Sequence, residues 1–330
     1  MPRSRARRRR RVGAESHRAG AWPALREERR SMRRVLSFGI VTILLAVAIS
    51  PGAAQLSRSE RRATLQFVNS LRNPDGGFRN TPQPGPSSLA ATNACLRAYR
   101  YLDARIENRG EVRDFVWRCY DARTGGFADA PGARPEVRTT AIGLMALAEL
   151  EATRDPRCEQ IKRYLVENAR SVPDIYIAVA GLAAAEMESP RAAEWIRAYE
   201  STRKADGTYG SGLMDTAGAV ITLLRLKGEL TRRNVLARTL REAQRPDGGF
   251  AASGGASDLS TTYRVMRALF MLEEKPRLGA LREFVAKCRN ADGGYGNQPG
   301  QPSTASATYY AAIVLHWAER MERSPGRYLP

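Results

Sequence analysis

RPDGGFAASGGASDLSTTYRV, residues 245–265, carries the pattern on which the whole chain is built. Pro246 disfavours helix for the residue before it, and Gly248 and Gly249 permit backbone conformations closed to other residues. The helix that precedes the turn therefore stops there. A small-residue loop follows. Then Asp258-Leu259-Ser260-Thr261 opens a second helix, with Asp258 placed to cap it.

The turn returns along the chain. Asn73-Pro74-Asp75-Gly76-Gly77-Phe78 matches Arg123-Thr124-Gly125-Gly126-Phe127, Ala205-Asp206-Gly207-Thr208-Tyr209, Pro246-Asp247-Gly248-Gly249-Phe250 and Ala291-Asp292-Gly293-Gly294-Tyr295. The second glycine position falls at 77, 126, 208, 249 and 294, giving steps of 49, 82, 41 and 45. A step of 82 is two units, so a copy without glycines lies near Val172-Pro173-Asp174-Ile175, and the repeats number six. Each reads as an amphipathic helix (Asn234 to Gln244, for example), the turn, and a second helix richer in apolar and small residues (Ser260 to Glu273). A threonine recurs at 92, 140, 216, 262 and 308, and the degenerate third repeat is read with Ile177 there. A threonine at that place is read as packing at a close helix contact, with its hydroxyl bonded into the helix. Helical hairpins that cannot bury their faces singly must stack. The expectation is an all-α, α6/α6 toroid, with the second helices of the hairpins lining the inside, although the pattern alone also permits an open solenoid.

Charge and composition narrow the function classes. The chain has 330 residues, 53 Lys and Arg against 34 Asp and Glu, and a formal charge of +19. Residues 1–54 hold 13 of the basic and 3 of the acidic residues, so more than half of the excess lies in the leader. The remaining charge is scattered and forms no phosphate-tracking stripe, which argues against nucleic-acid binding. Residues 1–31 read as an Arg-rich leader that precedes the true start of translation. Residues 32–54 read as a signal peptide: Arg33 and Arg34, an uncharged apolar run from Val35 to Ile49, and small residues up to Ala54. That run is too short to span a membrane comfortably. The expectation is a single toroid over residues 55–330, exported and without a membrane span once the signal is removed. The four cysteines, Cys95, Cys119, Cys158 and Cys288, are expected as free buried thiols, because the predicted geometry puts Cys119 and Cys158 at opposite ends of neighbouring helices.

The glycine–aromatic turns and helix starts such as Thr261-Thr262-Tyr263 resemble those of the prenyltransferase and squalene-cyclase superfamily, particularly the β subunits of protein prenyltransferases. Gln244 followed by Asp247-Gly248-Gly249-Phe250 echoes the glutamine–tryptophan repeats of the cyclases. The resemblance covers about residues 58–320. It implies one of two chemistries. In the protein prenyltransferases an Asp-x-Cys pair and a later histidine hold zinc. The matching positions here are Asp258-Leu259-Ser260 and Ala307-Thr308-Tyr309-Tyr310, so serine and alanine replace the sulfur and nitrogen ligands that zinc prefers. No cofactor is expected. The basic residues that hold a diphosphate ahead of that pair are also missing from Ala251 to Ser257. Class II cyclases use an Asp-x-Asp-Asp motif, of which Asp258 and Asp215 each preserve one aspartate.

Asp258 and Asp215 remain the candidate catalytic residues, weighed against simple helix capping. Arg138, Tyr176, Tyr263, Arg264, Thr308, Tyr309 and Tyr310 are the candidate lining of a ligand cavity. Helix N-termini at that rim would favour an anion, and the aromatic residues suit an isoprenoid or other apolar ligand. Two functions stand: a prenyltransferase- or terpene-cyclase-like protein that binds or transforms such a ligand, and a non-catalytic exported binding or scaffold module.

Overall fold

A computed structural model describes residues 56–323. The leader (1–31) and the signal peptide (32–54) inferred from sequence lie outside the described residues.

Helices dominate, and they alternate in role. The first helix of each hairpin lies on the outside: α1 (Arg58–Ser70), α3 (Arg109–Arg118), α5 (Arg157–Asn168), α7 (Ala192–Glu200), α9 (Arg233–Glu242) and α11 (Leu278–Lys287). The second lies inside: α2 (Leu89–Tyr101), α4 (Val137–Glu149), α6 (Val172–Ala184), α8 (Leu213–Arg225), α10 (Leu259–Leu272) and α12 (Ala305–Arg323). Two short strands, β1 (Tyr120–Asp121) and β2 (Gly126–Phe127), pair across the second turn. Each inner helix packs on the next, and α12 returns to α2. The ring is therefore closed, an α6/α6 toroid. Across the seam the Thr64 hydroxyl donates to the Gly293 carbonyl at 2.8 Å, and the Ala305 N–H donates to the Asn80 carbonyl at 2.8 Å.

The turn is held by a repeated set of bonds. Asp247 Oδ1 accepts from the Gly249 N–H at 3.0 Å and from the Ser257 hydroxyl at 2.9 Å. Asp75 and Asp292 do the same with Gly77 and Ser87, and with Gly294 and Ser303. The aromatic that follows is driven inward: Phe78, Phe127 and Phe250 are fully buried. Their backbone N–H groups then need partners. The recurring threonine supplies them. Thr92, Thr140, Thr216, Thr262 and Thr308 accept the N–H of Phe78, Phe127, Tyr209, Phe250 and Tyr295 at 2.9–3.1 Å. The hydroxyl thus clamps the turn onto the inner helix, a larger role than packing alone.

The third repeat lacks the turn and lacks the clamp. Ser171 caps α6, and the residue four positions on is Ile175. Ile175, rather than Ile177, occupies the threonine column. With no turn amide to satisfy, that buried position takes an aliphatic side chain. Replacing Thr262 by Val keeps the shape and strands the Phe250 N–H. The expected loss is about 1–3 kcal/mol in urea unfolding, against little change for Thr239→Val on the outer face.

All four cysteines are free and buried. Burial pushes the Cys158 thiol up to about 11 and the Cys119 and Cys288 thiols up to about 12. Native protein at pH 8 should therefore resist thiol labelling, and its gel mobility should not depend on reductant. Fast labelling of any cysteine before unfolding would contradict this packing.

Candidate functional site

The N-terminal ends of the inner helices α2 and α10, expected to welcome an anion, are already occupied by the protein. In α10 the Leu259 N–H donates to the Asn297 carbonyl at 2.8 Å, and the Ser260 N–H to Asn297 Oδ1 at 3.0 Å. The Thr261 N–H goes to Asp258 Oδ1 at 2.8 Å. In α2, Asp129 takes the Leu89 and Ala90 N–H groups at 2.7 and 2.8 Å, and Ser88 takes that of Ala91 at 3.1 Å. A side chain of the neighbouring repeat's turn thus closes each of these two helix starts.

The acidic residues of the rim serve the same purpose. Besides the Thr261 amide, Asp258 accepts from the Ser260 hydroxyl at 2.5 Å and the Thr261 hydroxyl at 2.8 Å. Asp215 Oδ2 accepts both the N–H and the hydroxyl of Ser211 at 2.8 Å. Asp174 bonds back to Ser171 in a capping box. The residues at the family's zinc position do not fit the metal. Asp258 is consumed by its own helix turn, Ser260 offers a neutral hydroxyl already donated to that carboxylate, and Ala307 offers no donor.

Deeper in the ring the inner helices present an aromatic cluster. Five positions after their caps stand Tyr176 on α6, Tyr263 on α10 and Tyr309 on α12. The Tyr309 hydroxyl donates to the Tyr263 hydroxyl at 2.9 Å. The Tyr263 ring lies 5.4 Å from Tyr309, 4.8 Å from Tyr310 and 5.8 Å from Trp317, centroid to centroid. Tyr101, at the end of α2, reaches Tyr309 at 6.3 Å and His316 at 5.3 Å. Tyr263, Tyr309 and Tyr310 are thus brought together as the sequence suggested. Tyr101, Trp317 and His316 join them unforeseen.

Guanidinium groups cover these rings. Arg97 lies 5.0 Å over Tyr309, and Arg267 lies 5.2 Å over Tyr263 and 4.9 Å over Trp317. Arg264 lies 4.5 Å over Tyr176. Stacking of this kind is worth about 0.5–2 kcal/mol per pair. Arg97 and Arg267 both stand nine positions after their caps, so their register on α2 and α10 is the same. Arg225 ends α8; burial and the nearby Arg267 charge push its pKa down to about 10. Burial raises the Tyr263 pKa, but Arg267, Arg97, the bond from Tyr309 and Arg225 outweigh it and hold the phenol down to about 7. Burial instead pushes Tyr310 up to about 12.

One of the residues proposed as lining has a different part in the fold. Thr308 is fully buried and holds the Tyr295 amide, so it belongs to the turn. Arg138 is exposed near the start of α4, where its charge acts on Tyr310. Arg97, Arg225 and Arg267 were missed, although arginines within otherwise apolar inner helices are a readable signal, and Arg97 and Arg267 share a register. Two depressions of about 510 and 870 Å³ lie at the ends of outer helices, the first beside Arg241 and Arg277, the second beside Tyr120 and Tyr164. Neither is lined by the aromatic–arginine cluster.

The family model of the prenyltransferase alpha-alpha toroid domain matches residues 31–97, 91–167 and 167–326. The chain belongs to that family. Among solved structures, protein geranylgeranyltransferase-I from Candida albicans, complexed with GGPP, superposes with a TM-score of 0.63 at 14% identity, over 77% of this chain and 90% of that one. A variant of the type II terpene cyclase MstE from Scytonema, in complex with geranylgeranyl dihydroxybenzoate, gives 0.58 at 13% identity, over 81% and 97%. A glycosidase in complex with glucose gives 0.56 at 15% identity, over 81% and 97%. At these identities the likeness is one of fold. No curated protein matches the chain. Among the described residues no helix is long and apolar enough to cross a membrane.

Proposed function

We propose that the interior of the ring receives an isoprenoid-type apolar ligand, held against the wall formed by Tyr101, Tyr263, Tyr309, Tyr310 and Trp317. The observation that carries this reading is the continuity of that wall, ring against ring, across α2, α12 and α10. Flat aromatic faces suit a branched, unsaturated hydrocarbon, because they offer large contact area at low conformational cost. Relatives of the same fold bind such chains: one holds GGPP and another geranylgeranyl dihydroxybenzoate.

Binding is better supported than transfer by a zinc-activated thiol or cyclisation by a rim aspartate. Asp258 and Asp215 are occupied by their own helix starts. That occupation favours a second reading, in which the toroid is a non-catalytic exported module that carries or presents its ligand. The leader motif at residues 32–54 supports export, which N-terminal sequencing of the mature protein tests. Titration with farnesol, followed by calorimetry and by tryptophan fluorescence with Trp317→Phe as control, tests the ligand. Binding in the micromolar range that weakens in Tyr263→Ala and survives in Asp258→Ala is expected. Stoichiometric zinc or prenyl transfer to a thiol peptide would replace the non-catalytic reading by an enzymatic one.

A further inference from the structure

The ring is fastened unevenly around its rim. In α2, α10 and α12 the first helical amide is tied to the turn of a neighbouring repeat. Leu89 donates to the Asp129 carbonyl, Leu259 to that of Asn297 and Ala305 to that of Asn80, at 2.7–2.8 Å. The cap residues Ser88, Asp258 and Thr304 each take the amide three positions on. The start of α4 is held by the Thr139 hydroxyl, which accepts the Glu136 N–H at 3.2 Å. That of α6 is held by the Ser171–Asp174 capping box and by the Tyr199 hydroxyl, which donates to the Val172 carbonyl at 3.3 Å. α8 has neither a tie nor a capping side chain. It begins on Gly212, and among the described residues the Leu213 and Met214 N–H groups have no partner. The residue placed to tie it is Ala252, two positions after Phe250 as Asn297 is two after Tyr295. The Ala252 carbonyl oxygen stands 3.8 Å from where a Cβ on Gly212 would lie.

The outer wall is loose at the same repeat. A Cβ on Gly76, Gly248 or Gly293 would meet a carbonyl oxygen of the next outer helix at 1.9–2.5 Å. Gly207 meets the Arg232 side chain instead, with Cδ at 3.0 Å, and a flexible side chain yields where backbone does not. That exposed arginine also donates to the Ala205 carbonyl at 2.7 Å. Asp206 accepts from its own Thr208, amide and hydroxyl, whereas Asp75, Asp247 and Asp292 each reach a serine ahead of the inner helix. Within itself the segment is firm. Asp215 holds the N–H and hydroxyl of Ser211, and Thr216 holds the Tyr209 amide. A segment ordered within and weakly fastened to its neighbours opens as a unit at low free-energy cost.

We propose that residues 205–215, the turn of the fourth repeat with the first turn of α8, form a rim flap whose opening admits the ligand to the ring interior. Leu213 and Met214, both half-buried, give the flap an apolar edge for a hydrocarbon to pass. Tyr176 of α6 packs on Gly218, one turn further along α8, and marks where the flap meets the interior. The inference rests on the ring interior being the binding site.

Hydrogen exchange of the mature protein tests the movement, and stopped-flow fluorescence with farnesol tests the entry. The Tyr209 and Thr216 amides are bonded as the Phe250 and Thr262 amides are, so a difference in exchange reports opening alone. They should exchange at least about tenfold faster. Gly212→Asp combined with Ala252→Asn rebuilds the anchorage of α10 on α8. It should slow that exchange and raise the thermal midpoint by about 2–4 °C. It should also slow farnesol association and dissociation together, by about two- to tenfold, with Kd little changed, the signature of a gate. Arg232→Met should speed both rates. Unchanged rates in both variants overturn the flap, as does exchange at Tyr209 and Thr216 as slow as at Phe250 and Thr262. That comparison is made on unaltered protein and stands even if a variant fails to fold. Fast exchange there in a protein that binds no farnesol upholds the movement and sinks the isoprenoid reading alone.

Discussion

Gly248→Ala is expected to destabilise the protein by on the order of 3–5 kcal/mol, a large share of what a domain has to lose. Gly248 sits at φ +91°, and a Cβ there would stand 1.9 Å from the Ala280 carbonyl oxygen and 2.1 Å from its carbon. Both are backbone atoms of the next outer helix, so no rotamer change relieves the overlap. Either the turn lifts off α11 or α11 moves, and each breaks the contact between successive repeats. Gly76 and Gly293 make the same close approach, to Glu111 and Ala63, and the latter contact crosses the seam of the ring. Urea unfolding is the measurement, with Gly254→Ala as control, since nothing lies within 4 Å of a Cβ at that site. A loss below about 1 kcal/mol at Gly248 would contradict this close packing of the turn on α11.

The second large effect is on pH dependence. Tyr263 has its pKa held down to about 7 in the folded ring, whereas an unfolded tyrosine titrates near ~10. A group whose pKa is lowered by folding adds stability once it is ionised in the native state. That contribution is complete above the unfolded value and is lost as pH falls through the folded one. The stability difference between the wild type and Tyr263→Phe should therefore grow from pH 7 towards pH 9. The four buried cysteines, whose pKa burial raises, lower the stability of both proteins above about pH 8, so the difference rather than the absolute stability carries the effect. Tyr263→Phe should also remove a phenolate absorbance step centred near neutral pH. The step surviving in that variant would assign the ionisation to another group.

The turns carried most of the fold. Glycine followed by an aromatic marked five of the six hairpins, and the inner helix expected at Ser260 to Glu273 runs from Leu259 to Leu272. Asp258 caps it as its side-chain chemistry suggested. Where the turn was absent the alignment slipped by two residues, to Ile177 instead of Ile175, because nothing local anchored it. The interior was harder to read. Whether Arg97 and Arg267 point inward depends on how six helices close, and a single helix does not encode that. The saturation of the helix starts had a faint sequence signal: Asn80, Asp129 and Asn297 each lie two residues after a turn aromatic. Their side chains or carbonyls hold the inner helix of the preceding repeat around the ring, a contact between repeats that periodicity within one repeat does not reveal.

The central claim is that the ring interior binds an isoprenoid-type chain against its aromatic wall. Calorimetric titration of the mature protein with farnesol tests it most directly. The account predicts one site per ring, bound in the micromolar range and weakened in Tyr263→Ala. No binding, or binding unchanged in Tyr263→Ala, would contradict it.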